Sequence, residues 1–345
     1  MNRGINMKKI RVEEAVGSIL CHDITKIIPG EFKGIGFKKG HVIREEDIPN
    51  LLALGKDHIY VWEKKEGIIH ENEAALRIKE LVAGEGLNFS DIKEGKIDFI
   101  AAEDGLLKIN KEELCKFNSF GEMVLVTVHN NTPVKKGQKV AGTRIIPLII
   151  EEEKILKAES TIVENIVKVV PIVGKKVGIV TTGNEVYHGR IKDAFGPVVM
   201  KKVEEYNCHV LGQTILPDHA EEITEAIKEW IDKGAEMVIC TGGMSVDPDD
   251  LTPAAIKATG AEVVTYGAPV LPGSMLLVSY YGDIPILGLP GCVMYNKRTV
   301  FDLVLPRILS GEKLTLEGMV QYGHGGLCLD CEVCTFPKCS FGKGV

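Results

Sequence analysis

Two kinds of residue cluster in this chain could do chemistry. The first is the stretch Thr241-Gly242-Gly243-Met244-Ser245-Val246-Asp247-Pro248-Asp249-Asp250. Adjacent glycines let backbone N–H groups approach an anion, and aspartates offer hard oxygen ligands to a divalent cation. Together they are the parts needed to hold a phosphate with its Mg²⁺. Shorter segments of related character are Thr181 to Glu185, Leu271-Pro272-Gly273-Ser274 and Leu289-Pro290-Gly291, with Lys192 to Pro197 leading into a helix N-terminus, itself an anion site. The second cluster is Cys328, Cys331, Cys334 and Cys339, a C-x2-C-x2-C-x4-C run with enough thiolates for tetrahedral Zn²⁺ or an iron–sulfur cluster.

The elements that must position these segments can be read from apolar periodicity. Ala235 to Cys240 is a short apolar run of the kind that makes a buried parallel strand, and Thr252-Pro253 opens a helix with proline in its first turn. Lys176 to Val180 and His209 to Leu216 read as further strands, and Gly196-Pro197 starts a helix with Val199, Val203 and Tyr206 inward. Asp218 is expected to cap the next helix with Glu221 as its capping-box partner, over the stripe Ile223, Ile227, Trp230 and Ile231. Strands follow at 261–265, 275–280 and 284–287, and a final helix runs through Tyr295 and Val304. This alternation predicts an α/β domain of parallel βαβ units with right-handed crossovers. Ligands of such sheets bind at the carboxyl ends of the strands, where every glycine-bearing segment falls.

Upstream the pattern is mixed. Asp47 to Leu54 reads as a helix, Ile59 to Trp62 as a strand and Glu71 to Ala83 as an amphipathic helix. Strands at 123–129, within 134–150 and at 166–172 suggest a small α+β module, and Glu151-Glu152-Glu153 a helix start. Lys38 and Lys39 are read as a solvated hairpin. The expected division is 1–66, 67–172, the α/β domain 173–312 and a cysteine-rich tail 313–345.

With 345 residues, two or three domains are expected. A net charge of −7 argues against a nucleic-acid partner. No apolar run is long enough to span a membrane and the first residues lack a signal-peptide core, so the expected location is cytoplasmic. In that setting clustered cysteines suggest metal rather than disulfides. Dinucleotide, P-loop, H-E-x-x-H and G-x-S-x-G signatures do not occur.

From about Lys176 to Leu309 the segments resemble the molybdopterin-binding domain of enzymes that assemble the molybdenum cofactor. The resemblance rests on Thr-Gly-Asn-Glu at 182–185, the Asp193–Gly196–Pro197 helix entry, Leu216-Pro217-Asp218, the Thr-Gly-Gly-Met-Ser loop, Asp250-Leu-Thr-Pro and Gly288-Leu-Pro-Gly. The stretches 37–43 and 47–55 are similar to the molybdopterin molybdenumtransferase branch. The resemblance implies a three-layer parallel-sheet domain behind a smaller α+β, β-rich region. It implies Asp193 and Asp250 as metal-coordinating and catalytic carboxylates, supported by Glu185, Asp247 and Asp249. Thr182, Gly183, Asn184, Thr241, Gly242, Gly243, Ser245, Pro272, Gly273, Ser274, Pro290 and Gly291 would form the rest of the pterin site. The implied reaction inserts molybdenum from molybdate into molybdopterin, or its adenylylated form, with Mg²⁺. A non-catalytic cofactor carrier or chaperone is the alternative, and a nucleotide pyrophosphatase a third. A molybdoenzyme acceptor and a homo-oligomer are implied partners.

Overall fold

The computed structural model describes residues 7–28, 32–62, 67–245, 247–248 and 250–344. The chain divides into two compact units: Met1–Ala102, Ile109–Val128 and Gly137–Lys168 form one, while Glu103–Lys108, His129–Lys136 and Val169–Val345 form the other.

The first unit is β-rich. Strand Met7–Arg11 pairs with His58–Trp62, and Ile24–Ile28 with Phe32–Phe37, around a small core that includes Val12, Leu20, Ile43 and Leu51. The segment carrying Lys38 thus leaves a true hairpin. A four-stranded sheet built from residues 87–89, 97–101, 139–145 and 123–127 packs with the helix Glu71–Val82. His70 begins that helix: its Nδ1 accepts the Asn72 N–H at 3.1 Å, while Nε2 lies 2.5 Å from the Cys21 carbonyl. A neutral ring with the proton on Nε2 satisfies both contacts.

The second unit is an α/β domain. Its main sheet is built from strands β1 (Lys176–Thr182), β2 (His209–Leu216), β3 (Met237–Thr241), β4 (Glu262–Tyr266), β5 (Leu277–Tyr281) and β6 (Ile284–Leu289). The sheet order is β2-β1-β3-β6-β5-β4. The contiguous set β2-β1-β3-β6 is parallel, as the alternation predicts. β5 alone is reversed, pairing antiparallel with both β6 and β4, which corrects the expectation of parallel units throughout. The reason is chain length: only Gly282 and Asp283 separate β5 from β6, and a two-residue link permits a hairpin but no crossover.

Both faces of the sheet are covered. Val177 and Ile179 of β1 pack with Phe195, Val199 and Val203 of helix α1 (Phe195–Glu204) and with helix α4 (Val300–Leu309). On the opposite face, Val180, Val238 and Cys240 pack with Ile223 and Ile227 of α2 (Ala220–Asp232) and with Ile256 of α3 (Thr252–Ala258). Period-2 alternation along buried strands produces these two faces. Trp230 lies flat against the sheet because β1 carries Gly178 beneath it; a Cβ there would be 2.6 Å from the indole. The expected final helix is split into a 3-10 turn at Gly291–Met294 and α4, which Thr299 and Asp302 start with a capping box.

Among the described residues no helix or strand follows Gly323, yet Phe341 is buried in the core with α4, and Cys328, Phe336 and Cys339 pack partly against it. Among the described residues no helix is long and apolar enough to cross a membrane.

Candidate functional site

The carboxyl ends of β1, β3 and β6 and the loops that leave them surround a crevice of about 700 Å³. The structure brings Thr182, Glu185, Asp193, Gly242, Gly243, Ser245, Asp247, Asp250, Pro272, Gly273, Ser274, Pro290 and Gly291 to its lining. Gly183, Asn184 and Thr241 are not part of that lining. Thr241 is fully buried beneath it, with its hydroxyl 3.0 Å from that of Thr181. Asn184 sits at the rim, its N–H donating to Asp218 Oδ2 at 3.0 Å. Asp218 therefore ties two loops together instead of capping α2, whose N-cap is His219. Val246 and Asp249 lie outside the described residues.

A layer of buried polar groups sets the shape of the loops. Gln213 Nε2 donates both to Thr181 Oγ1 at 2.8 Å and to Asp193 Oδ2 at 2.7 Å, linking β2, β1 and the entry to α1. Thr252 donates to the Gly242 carbonyl at 2.9 Å, and its oxygen is 3.2 Å from Thr182 Oγ1. Tyr266 OH donates to the carbonyls of Met244 and Ser245 at 2.9 and 3.2 Å, so β4 holds the far side of the glycine loop. Gly242 has φ +86°, and a Cβ there would lie 2.1 Å from the Thr182 carbonyl oxygen. Only glycine fits this crossing of the β1 and β3 loops. Sequence reasoning missed Gln213, Thr252 and Tyr266 as site residues. A glutamine in the middle of an apolar strand was the one available signal.

The two carboxylates expected to act together are differently engaged. Asp193 Oδ1 accepts the N–H groups of Phe195 and Gly196 at 2.8 and 3.1 Å, and Oδ2 accepts Gly196 N–H at 3.2 Å and the Gln213 amide. Nearly all of its acceptor capacity is used in starting α1. Among the described residues Asp250 accepts one backbone bond, from Asp247 N–H at 3.2 Å, and it is partly exposed to the crevice. Burial, reinforced by the charge of Asp250, pushes the Tyr266 phenol above its ordinary range. Asp250 is thus the carboxylate with lone pairs to spare.

Charge at the lining is unbalanced. Among the described residues it holds the carboxylates of Glu185, Asp193, Asp247 and Asp250 against the single cation Lys192. An anionic ligand there needs a bridging cation. Among the described residues no three His, Cys, Asp or Glu side chains stand together as a ready metal cage. Tyr295, exposed at 83%, Met294 and Ile191 give the crevice an apolar and aromatic side.

Residues 178–310 match the family model described as "Probable molybdopterin binding domain". The second unit carries a domain of this family. Residues 9–63 match a model described as a domain of unknown function. Over 147 residues the chain is 30% identical to a molybdopterin molybdenumtransferase of Haemophilus influenzae, covering 40% of this chain and 36% of the relative. Over 142 residues it is 27% identical to a molybdopterin adenylyltransferase of Pyrococcus furiosus, covering 41% of this chain and 83% of the relative. Over 80 residues it is 32% identical to a CinA-like protein of Mycobacterium avium, covering 23% of this chain and 18% of the relative. The chain spans well under half the length of the first and third of these relatives. What the molybdopterin-binding-family domain positions in this chain is therefore the ring of loops described above.

Proposed function

We propose that the crevice takes molybdopterin or its adenylylated form and that the protein inserts molybdenum from molybdate in a Mg²⁺-dependent step, for delivery to a molybdoenzyme. The observation that carries this reading is the convergence of the glycine-bearing loops and four carboxylates on one crevice at the carboxyl ends of the sheet. Backbone at Gly242, Gly243 and Gly273, with the Ser245 hydroxyl, would hold the phosphate end of the ligand. Asp250 and Asp247, with Asp193 lining the same crevice, would hold Mg²⁺, which when bound offsets negative charge on the phosphates. Tyr295 offers a flat apolar surface to the pterin rings. Asp193 and Gln213 keep the N-terminus of α1 and the β1 loop in register, so that the donors are in place before the ligand arrives.

Incubation of the purified protein with adenylylated molybdopterin, Mg²⁺ and molybdate should release AMP faster than a protein-free control. Tight pterin binding with no AMP release would replace the enzyme with a cofactor carrier. Binding of neither form would remove the reading altogether.

A further inference from the structure

The cysteine run of the tail is not absorbed by the crevice chemistry. All four of its cysteines, Cys328, Cys331, Cys334 and Cys339, line one small cavity of about 60 Å³. Lys297 and Arg298 border the same cavity, and Pro272 lines both it and the crevice. The tail segment is irregular: among the described residues no helix or strand follows Gly323, and few backbone bonds hold it. Phe341, buried at the base, and the Arg298 guanidinium, 5.2 Å over the Phe336 ring, are its main side-chain anchors. An irregular segment of this length with so small a core usually owes its conformation to a cross-link or a metal. The cysteines are free thiols in this structure.

We propose that Cys328, Cys331, Cys334 and Cys339 form a tetrathiolate metal centre, one Zn²⁺ or an iron–sulfur cluster, that fixes the crevice loop Leu271–Ser274. Among the described residues no three of these thiols already have metal-ligand geometry, so loading draws the exposed Cys331 and Cys334 in toward the half-buried Cys328 and Cys339. Each ligating thiol gives up its proton to solvent, and the resulting negative charge falls beside Lys297 and Arg298.

The mechanical link to the crevice is direct. Leu271 N–H donates to the Gly326 carbonyl and Cys328 N–H donates to the Leu271 carbonyl, both at 2.8 Å, making a parallel bridge between the tail and the residue before Pro272. Lys297 Nζ donates to the Glu332 carbonyl at 2.9 Å, tying the middle of the cysteine run to the segment that follows Tyr295. A centre that immobilises Cys328 therefore immobilises Leu271, and with it one wall of the crevice. This inference stands whatever the crevice binds.

The test is metal analysis of the full-length protein purified without oxygen, followed by hydrogen–deuterium exchange. Elemental analysis with visible and electron paramagnetic resonance spectra should give about one zinc per chain, or iron with matching acid-labile sulfide. The double variant C331S/C334S, altered only at exposed positions, should lose the metal and keep the folded core. Loaded protein should show at least about tenfold slower exchange at residues 271–276 than the chelated form or the variant. Fewer than about 0.1 metal per chain after reconstitution with Zn²⁺, or with Fe²⁺ and sulfide, would overturn the centre. Metal uptake with unchanged exchange at 271–276 would overturn the coupling.

Discussion

Asp193 and Asp250 line the same crevice but should fail in different ways when truncated. Asp193→Ala removes the acceptor for three donors, the N–H groups of Phe195 and Gly196 and the amide of Gln213. Loss of a helix-capping carboxylate costs about 1 kcal/mol, and leaving the half-buried Gln213 amide short of a partner costs about another 1 to 2. A loss of about 2 to 3 kcal/mol lowers the melting temperature of a unit this size by roughly 4 to 12 °C. Asp250→Ala removes one bond of 3.2 Å from a partly exposed loop. It should cost no more than about 0.5 kcal/mol, or roughly 2 °C. Turnover should reverse the order. Asp250→Ala should lower AMP release by at least about 100-fold, as expected when a charge-stabilising group is lost, whereas Asp193→Asn, which keeps an oxygen for the helix N–H groups but sets an amide nitrogen against Gln213 Nε2, should recover only the capping part of the lost melting temperature. Thermal unfolding followed by circular dichroism, with AMP release on the same samples, reads both quantities. Equal destabilisation by the two alanine variants, or full turnover in Asp250→Ala, would refute this division of labour.

Other outcomes follow from single contacts. Gly242→Ala places a Cβ 2.1 Å from the Thr182 carbonyl at a φ of +86°; the loop must move, and pterin affinity measured by fluorescence should fall at least about tenfold. Asp302 is buried and accepts Lys202 Nζ at 2.7 and 2.9 Å and the Arg298 guanidinium at 2.8 Å. Asp302→Ala strands those cations and should cost about 3 to 5 kcal/mol in denaturant unfolding. Burial lowers the His70 imidazole to about 4, against an ordinary 6.5. The unfolded chain therefore binds a proton between those values that the folded chain does not, so stability contributed by neutral His70 is present above pH 6.5 and is lost as pH falls toward 4. Substitution of His70 by glutamine should flatten that acid limb in a pH series of melting temperatures.

Much of the α/β domain is legible from sequence because its parallel strands are short apolar runs, ended by glycine or proline and followed by periodic helices. β1, β2 and β3 fall close to their expected places for that reason. The antiparallel edge was misjudged because an apolar strand carries no mark of direction; the two-residue gap at Gly282-Asp283 held the information. Asp218 illustrates a local pattern overridden by its surroundings: it stands three residues before Glu221 as a capping box requires, but its carboxylate is taken by the Asn184 N–H. The loop glycines and aspartates could be found because those residue types are unusual after a buried strand. Gln213 offered only its polarity within an apolar strand and Tyr266 offered nothing, since their partners lie 20 and 22 residues away. Strands 87–89 and 97–101 and the helix Lys111–Asn118 in the first unit, and strand 105–109, which falls almost wholly in the second, were not anticipated, because these segments are short and lack sustained periodicity.

Titration of pterin fluorescence against molybdopterin and its adenylylated form, with and without Mg²⁺, tests the crevice most directly. The geometry predicts saturable binding by the folded wild-type chain, tighter with Mg²⁺ because among the described lining residues Lys192 alone opposes four carboxylates, and weakened by Gly242→Ala. Folded protein that binds neither form under either condition would contradict the assignment of these loops to a pterin phosphate.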